Sequence, residues 1–464
     1  MSTKRLSFAA SNALQDRLHQ LVPGGAHTYA RGADQYPDEM APVLSRGARA
    51  HVWDVDGNEF IEYGIGLRSV TLGHGYSPVL EAAHRAMTDG MSFSRPTELE
   101  LQAAEDFISL VPTADMVKFA KNGSDATTAA IRLARAATGR EAIAICNHPF
   151  FSVDDWFISQ TEMSSGIPAD VAQKSHRFRY NDAESLSTLF TDHANQICAV
   201  ILEAATATSE PEPGFLETVR RLCDQNGALL IFDEMITGFR WSEHGAQAVY
   251  GVAPDLSCWG KAMGNGFPIS ALAGKREFME LGGLNTDLDR VFLLSTTHGP
   301  ETASLAAFRA VVRAYEIESP IQRMDAVGTH LAAGVNEAAA SAGLADYVQV
   351  VGRPSCLIFV TRDWDRVPSQ PLRTLFLQEL LDRGVLGQSF VVSAAHTDED
   401  VDRTIEAATD ALQLYGRAIE SRSVAGLLRG RPVAPALRRQ AKPRRLDGLI
   451  QQGGSRTALA KPAV

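Results

Sequence analysis

The sequence contains few cysteines, and their spacing suits neither a metal site nor a disulfide framework. Five cysteines occur among 464 residues, mostly in apolar surroundings, at positions 146, 198, 223, 258 and 356. Disulfide-stabilised and metal-binding domains place their cysteines in close, repeated spacings. The dispersed positions therefore predict reduced thiols in the core of a cytoplasmic protein, with no metal bound.

Long apolar runs and an excess of basic charge are also missing. The chain has no apolar run of about eighteen residues, as a membrane-spanning helix needs, and its N-terminus lacks the apolar core of a signal peptide. Lys and Arg number 44 against 55 Asp and Glu, a formal net charge of -11. This balance argues against general nucleic-acid binding. We expect a cytoplasmic protein that binds neither nucleic acid nor a membrane.

Short apolar runs alternate with amphipathic stretches through the middle of the chain. The runs end at Ala120, Cys146, Leu202 and Phe232, and helical patterns separate them. Repeated strand, helix, strand order predicts an α/β fold with a mostly parallel, doubly wound sheet. A strand pair that begins at Tyr347, followed by further helices, predicts a smaller α+β domain.

Two polar residues follow apolar runs within the stretch 227–267. Asp233 follows the run 228–232, and Lys261 comes shortly after the run 256–259. Open parallel sheets bind ligands beyond the carboxyl ends of their strands, so both side chains are expected to face a ligand. A lysine with apolar neighbours becomes a nucleophilic amine. The pair fits pyridoxal phosphate, whose aldehyde a lysine holds as a Schiff base while an aspartate keeps the pyridine nitrogen protonated.

A glycine-containing turn precedes the helix that the pattern predicts over residues 127–138. Gly123 lets the backbone approach an anion, and the Ser124 hydroxyl with the first free amides of the helix can hold a phosphate. By itself such a turn indicates little, and a lone strand-end acid or lysine is usually a solvated charge or an ion pair. Their occurrence together with Asp233 and Lys261 predicts one cofactor site.

These motifs resemble those of a known family. FDEMITGFR at 232–240, PDLSCWGKAMGNGFP at 254–268 and KNGSDA at 121–126 resemble the pyridine-nitrogen, lysine and phosphate motifs of the class III (omega) pyridoxal-phosphate aminotransferases of fold type I. The hairpin sequence DVDGN at 54–58 matches as well. The nearest branch is typified by glutamate-1-semialdehyde aminomutase, and the resemblance covers roughly residues 10–420.

The resemblance implies a homodimer with shared active sites, and a large domain whose doubly wound sheet is of the seven-stranded type. It also implies a set of roles for individual residues. These are Lys261 as the Schiff-base and proton-transfer residue, Asp233 at the pyridine nitrogen, Phe150 and Met235 on opposite faces of the ring, Gly123 and Ser124 at the phosphate, Thr296 at the phosphate of the neighbouring subunit, and Glu203 as a hydrogen-bonding residue beside the cofactor.

Two arginines are candidates for substrate binding. Arg31 lies where the aminomutase branch carries a substrate-site arginine, and a guanidinium suits a carboxylate or phosphate; a surface arginine in a polar loop is an equally good interpretation. Arg68 departs from the aminomutase pattern, which carries tryptophan and glycine at positions 67 and 68. The segment TTHGPE at 296–301 also departs, and resembles aminotransferases of secondary-metabolite and surface-sugar pathways.

The chain is predicted to have four parts. Residues 1–60 form an N-terminal segment that contributes to the small domain and the active-site mouth, and residues 61–325 form the large cofactor-binding domain. Residues 326–420 form the C-terminal small domain. Residues 421–464 form a basic strap or tail that packs on the acidic body, with disorder expected over 451–464.

The sequence suggests three functions, of which two are enzymatic and one is non-catalytic. The first is an aminotransferase that moves an amino group from a donor amino acid to the carbonyl of a small biosynthetic intermediate. The second is glutamate-1-semialdehyde 2,1-aminomutase, which needs no external donor. The third is a non-catalytic regulatory or scaffold protein that binds pyridoxal phosphate. The intact lysine motif and the lack of a DNA-binding region argue against the third.

Overall fold

Over residues 5–147 and 150–441, which the computed structural model describes, the strands form three sheets. The strands are β1 (Leu44–Ala48), β2 (His51–Asp54), β3 (Glu59–Glu62), β4 (Met116–Ala120), β5 (Ala142–Cys146), β6 (Ser175–Phe178), β7 (Ile197–Leu202), β8 (Leu229–Asp233), β9 (Leu256–Trp259), β10 (Ser270–Gly274), β11 (Val348–Val351), β12 (Ile358–Thr361) and β13 (Val385–Leu386).

Helices lie between and around these strands. They are α1 (Ala9–Leu21), α2 (Ile65–Arg68), α3 (Ser77–Thr88), α4 (Glu98–Leu110), α5 (Gly123–Thr138), α6 (Asp155–Ile158), α7 (Ala169–Gln173), α8 (Ala183–Asp192), α9 (Phe215–Asn226), α10 (Ala246–Tyr250), α11 (Arg276–Met279), α12 (Thr302–Glu318), α13 (Pro320–Ser341), α14 (Gln370–Asp382) and α15 (Asp398–Ser421).

The largest sheet has seven strands in the order β4-β10-β9-β8-β7-β5-β6. Neighbouring strands from β9 to β6 pair in parallel, and β10 runs antiparallel to both β4 and β9. Every residue of β5, β7, β8 and β9 is buried, which is why these strands read as unbroken apolar runs. The predicted α/β fold with a mostly parallel seven-stranded sheet is confirmed. Its parallel strands bring the ends of β7, β8 and β9 to one edge.

The second sheet combines three strands from the N-terminal part of the chain with one strand from the C-terminal part. Its order is β1-β2-β3-β13, with β13 parallel to β3 through the pairs Val385↔Ile61 and Leu386↔Glu62. The third sheet is the antiparallel pair β11 and β12, as the sequence pattern predicted. The division of the chain at residues 60, 325 and 420 stays a prediction.

Helix α5 begins four residues earlier than the pattern predicted. It starts at Gly123 because Asn122 caps it: the amide of Asn122 donates to Asp125 Oδ2 over 3.0 Å. Gly123 and Ser124 are therefore the first two residues of the helix and not part of the preceding turn. Their amides have no partner within the helix, and they remain available to an anion.

The described part of the C-terminal segment contacts α14 and the N-terminal segment. The amide of Val433 donates to Thr374 Oγ1 over 2.9 Å, and the amide of Ala434 donates to the carbonyl oxygen of Asp34 over 3.0 Å. Arg438 forms an ion pair with Asp34 at 2.5 Å. The division of the chain that makes this segment a basic strap stays a prediction. The stretch 451–464 lies outside the described residues.

All five cysteines are buried, as their apolar surroundings predicted. Among the residues that the structure describes, none of the helices combines the length and the apolar character that crossing a membrane requires.

Gly328 in α13 generates a stability prediction. A Cβ at this position would lie 1.9 Å from the carbonyl oxygen of Pro354, whereas one at Gly416 in α15 meets nothing closer than Leu344 Cδ1 at 3.8 Å. We expect Gly328→Ala to lower the free energy of unfolding by about 1–3 kcal/mol, because the backbone of Pro354 must move. Gly416→Ala, the control, should be neutral or stabilising by up to about 1 kcal/mol. Urea denaturation followed by circular dichroism measures both, and equal effects would contradict the packing.

Candidate active site

Three polar residues meet where neighbouring parallel strands of the large sheet end. Glu203 follows β7, Asp233 is the last residue of β8, and Lys261 comes two residues after β9. Strand β8 pairs in parallel with both β7 and β9, so these three ends lie side by side. The carboxyl ends of parallel strands are where open α/β sheets bind ligands. The sequence-predicted residues Glu203, Asp233 and Lys261 are thus brought to one site.

Asp233 is buried, with 1% of its surface exposed, and its Oδ1 accepts a hydrogen bond of 2.9 Å from the amide of Met235. Burial raises the pKa of Asp233 to about 6, while the nearby Lys261 and the amide hydrogen bond oppose that rise. A carboxyl group in such a place favours an adjacent cation, because a positive charge would restore the ionised form.

Lys261 sits on a turn with unusual backbone geometry. Its φ is +46°, in the left-handed region that costs a non-glycine residue about 1–2 kcal/mol. Such strain persists where surrounding structure holds it, and it is concentrated at functional sites. Burial lowers the pKa of the Lys261 amine, although Asp233 and Glu203 act in the opposite direction. The site therefore favours a neutral, nucleophilic amine more than water does.

Glu203 is the second buried acid of the site, with 2% of its surface exposed. Burial, followed by the negative charge of Asp233, raises the pKa of Glu203, and Lys261 opposes this. Two carboxyl groups so close together do not ionise equally. The site therefore favours the protonated form of Glu203 more than water does, and that form can donate a hydrogen bond.

Glu234, the residue after Asp233, holds a loop in place. Its carboxylate accepts hydrogen bonds from the amide of Ala246 at 2.8 Å, the amide of Gln247 at 3.0 Å and the side chain of Gln247 at 3.2 Å, as well as from the hydroxyl of Thr237. All of these groups are buried. Glu234 is a structural residue that fixes residues 237–247 behind the strand end.

The side chain of Met235 contacts two other turns around the site. A Cβ added to Gly123 would lie 2.9 Å from Met235 Sδ, and one added to Gly260 would lie 2.7 Å from the same atom. The first turn of α5 and the turn before Lys261 therefore both contact this side chain. Only glycine leaves room for that contact, and so Gly123, Met235 and Lys261 belong to one site.

Ser124 contacts the loop that follows β5, and Phe150 belongs to that loop. Ser124 Oγ accepts a hydrogen bond of 3.0 Å from the amide of Val153, so this loop crosses the first turn of α5. The Phe150 ring is 48% exposed and lies edge-on to Phe157, with 5.1 Å between the ring centroids. The role of Phe150 as a ring that stacks on the cofactor stays a prediction.

Thr296 and Arg31 are both exposed. Within residues 5–147 and 150–441, neither side chain forms a hydrogen bond or ion pair with Lys261, Asp233 or Glu203. Thr296 Oγ1 approaches Gly299, next to the carbonyl oxygen of Phe119 at the end of β4. An exposed position is compatible with a role across a subunit interface, and both assignments stay predictions.

Arg68, by contrast, is half-buried, and its positive charge acts on the site. It lowers the pKa of both Lys261 and Glu203, although burial is the largest influence on each of those two groups. Of the two arginines that the sequence singled out, Arg68 is therefore the one whose charge the structure places within reach of the strand ends.

Arg240 and Asn265 make structural contacts near the site that the sequence did not reveal. Arg240 is fully buried and donates to the carbonyl oxygens of Ser355 at 2.7 Å, Val392 at 2.9 Å and Arg68 at 3.3 Å. Asn265 accepts from the amide of Leu72 at 2.9 Å. Each side chain bonds to the backbone of segments distant in sequence. No local pattern signals such a contact; an arginine in an apolar stretch is the only hint.

The fold and the strand-end acid and amine define an α/β enzyme of the kind that holds an aromatic aldehyde cofactor. A model of the family described as aminotransferase class-III matches residues 32–412. The chain belongs to the class III aminotransferase family.

Named relatives share most of the chain's length. A glutamate-1-semialdehyde 2,1-aminomutase of Syntrophobacter fumaroxidans is 32% identical, covering 86% of this chain and 96% of that protein. The FumI protein of Sphingopyxis sp. MTA144, solved in its PLP internal aldimine form, is 29% identical with a TM-score of 0.80, covering 88% of this chain and 97% of that one. An omega-transaminase from Sphaerobacter thermophilus is 26% identical with a TM-score of 0.79, covering 88% and 98%.

The hydrogen bonds of Glu234 generate a prediction. Glu234→Ala leaves the buried amides of Ala246 and Gln247 without an acceptor, at about 1–3 kcal/mol for each unpaired group. We expect the free energy of unfolding to fall by at least about 2 kcal/mol. Glu243→Ala, on the same loop, is the control and should change it by less than about 0.5 kcal/mol. Similar values for the two variants in urea denaturation would show that Glu234 does not hold the loop.

The pKa of Asp233 generates a prediction about pH. Because the pKa in the folded protein is raised from 3.8 to about 6, the stability that the protonated carboxyl contributes is complete below pH 3.8 and is lost as the pH rises through 6. Asn at this position does not titrate. In cofactor-free protein, the free energy of unfolding of Asp233→Asn relative to wild type should therefore increase between about pH 4 and 7, by up to about 3 kcal/mol. A difference that stays flat or decreases would contradict the burial of this carboxyl.

Proposed function

We propose that the protein is a pyridoxal-phosphate-dependent aminotransferase, which moves an amino group from a donor amino acid to the carbonyl of a small biosynthetic intermediate. The observation that carries the proposal is the pairing of Asp233 and Lys261 at the ends of adjacent parallel strands. Each is buried enough that its pKa moves towards the neutral form, and each opposes the change in the other.

The residues present fit this cofactor. Asp233 would face the pyridine nitrogen, where a positive charge restores its ionised form. The first amides of α5, at Gly123 and Ser124, would hold the phosphate together with the helix dipole. Met235 fills the space between Gly123 and Gly260, and its side chain would contact one face of the ring. Phe150 would cover the opposite face.

When bound, pyridoxal phosphate supplies an aldehyde that carries the amino group and a ring that accepts electrons. The protein's own contribution is to bind, orient and move protons. The Nζ atom of Lys261 acts as the base and then the acid that moves a proton from the substrate carbon bearing the amino group. Asp233 would be ionised beside a positive charge on the ring, and Glu203 would form a hydrogen bond beside the cofactor.

We further propose a homodimer in which Thr296 reaches the phosphate site of the neighbouring subunit. The exposure of Thr296, and of the segment 295–298 around it, supports this proposal, because a single chain leaves the segment uncovered. The amino donor and carbonyl acceptor are small molecules.

The alternative is glutamate-1-semialdehyde 2,1-aminomutase. The names of relatives at 32% to 35% identity favour it. Two departures from the aminomutase pattern favour the transferase, namely Leu67-Arg68 in place of tryptophan and glycine, and the TTHGPE segment. An aminomutase rearranges a single substrate, whereas a transferase consumes a donor and an acceptor as a pair.

The test of the proposal is the cofactor's visible absorbance. Purified protein should be yellow and should bleach with an amino donor, and its colour should return with a keto acid. Lys261→Ala should reduce turnover by about 10⁴-fold, because the amine that moves the proton is lost. Arg403→Ala, at an exposed position of α15, is the control and should keep full turnover.

Two outcomes would contradict the proposal. Normal turnover by Lys261→Ala would exclude the assigned mechanism. Conversion of glutamate-1-semialdehyde without consumption of any added amino donor would identify the aminomutase. High-performance chromatography of the donor, the acceptor and their products distinguishes the two reactions.

A further inference from the structure

A partly buried ion pair lies directly before Gly123 and Ser124. The Nζ atom of Lys121 is 2.7 Å from Oε1 of Glu301, and the two side chains are 16% and 11% exposed. A fully exposed ion pair contributes little to a structure, because water and salt screen it. The pair of Lys121 and Glu301 is screened less, and the two residues are 180 positions apart in the chain. Their contact therefore fixes two remote segments against each other.

Helix α12 holds the carboxylate of Glu301 from its other side. Glu301 accepts hydrogen bonds from the amide of Ala303 at 2.8 Å and from the amide of Ser304 at 3.0 Å, and it thereby caps the start of α12. Burial acts to raise the pKa of Glu301, but the hydrogen bonds from Lys121 and Ser304 outweigh burial and hold that pKa below its ordinary value. Glu301 is therefore ionised at a helix N-terminus, where the helix dipole also favours negative charge.

The segment 296–299, just before Glu301, packs against the end of β4. A Cβ added to Gly299 would lie 2.8 Å from Thr296 Oγ1 and 3.1 Å from the carbonyl oxygen of Phe119. Phe119 precedes Lys121 by two residues. The segment 296–299 thus contacts the end of β4 at Phe119, and the ion pair joins the same two parts of the chain again at Lys121.

Lys121 is also adjacent to the residues that begin α5. The next residue, Asn122, caps this helix, which fixes the backbone at this point. Gly123 and Ser124, whose amides are expected to hold the phosphate, follow directly. Lys121 therefore connects two elements to which phosphate-binding roles are assigned, the first turn of α5 and the segment that carries Thr296.

We propose that the ion pair of Lys121 and Glu301 is a positioning element for the cofactor's phosphate. The proposal rests on the proposed function, and neither residue is assigned a contact with the cofactor. The ion pair sets the position of the segment 296–299 relative to the first turn of α5 in the same chain. In the proposed homodimer, this turn serves the subunit's own site and Thr296 serves the neighbour's site. The ion pair therefore connects the two phosphate sites of the dimer.

The test compares two ligands that differ only in the phosphate. Cofactor-free protein is titrated with pyridoxal phosphate and, separately, with pyridoxal, which carries a hydroxyl group in place of the phosphate; the visible absorbance of the bound ligand gives each dissociation constant. We expect Lys121→Met to raise the dissociation constant of pyridoxal phosphate roughly 10-fold, as expected when one charged hydrogen bond is lost. The dissociation constant of pyridoxal should change less than about twofold.

Lys275→Met is the matched control, because Lys275 also forms an ion pair, with Asp255. Lys275 follows β10, which runs antiparallel to β9, so it lies at the edge of the sheet opposite to Lys261. This variant should change neither dissociation constant. Equal losses for both ligands in Lys121→Met would show that the ion pair only stabilises the fold. That outcome would overturn the proposal, as would an unchanged affinity for pyridoxal phosphate.

A second variant tests the pairing itself. Glu301→Gln removes the negative charge but keeps a carbonyl oxygen that can accept from the amides of α12, and it should show the same selective loss for pyridoxal phosphate. Because the two residues act through one contact, the double variant should bind pyridoxal phosphate about as weakly as either single variant. Losses that add in the double variant would overturn the proposal, since each residue would then act alone.

The wild-type titration separates this proposal from the proposed function. If the wild-type protein binds neither pyridoxal phosphate nor pyridoxal, the proposed function itself fails. If it binds both and Lys121→Met shows no selective loss, only the role of the ion pair fails.

Discussion

The site depends on one constraint, which is that neighbouring parallel strands end at the same edge of a sheet. Strands β7, β8 and β9 place Glu203, Asp233 and Lys261 side by side, although some thirty residues separate each from the next along the chain. The strands are apolar on both faces and fully buried, so they have little freedom to shift in register. A rigid sheet thus fixes an amine against two acids without any direct bond between them.

The burial of these groups determines their chemistry. In water the two acids would be ionised and the lysine protonated, whereas here burial moves the pKa of each towards the neutral form. The neighbouring Glu234 is equally buried, but four hydrogen bonds satisfy its carboxylate. Glu234 therefore holds a loop, whereas Asp233, the residue before it, is left to interact with a ligand.

Much of the fold and of the candidate site could be predicted from the sequence. Contacts between segments that are remote in sequence could not, because they leave no local pattern. Apolar runs predicted the strand ends at Asp233 and near Lys261, because a strand that is buried on both faces reads as an unbroken apolar run. The start of α5 was wrong by four residues, since the cap at Asn122 and Asp125 was not recognised. The contacts of Arg240 left no local pattern, because its guanidinium donates to carbonyl groups of remote segments. The roles of Phe150, Thr296 and Arg31 remain predictions.

Covalent capture of the cofactor tests the central claim most directly. Holoenzyme reduced with borohydride and digested to peptides should carry the pyridoxyl phosphate group on the peptide that contains Lys261, at close to one group per chain, as measured by mass spectrometry. The same treatment of Asp233→Ala should give markedly less labelled peptide, because the ring nitrogen loses its partner. Attachment to a different lysine, or none in wild type reconstituted with the cofactor, would contradict the account.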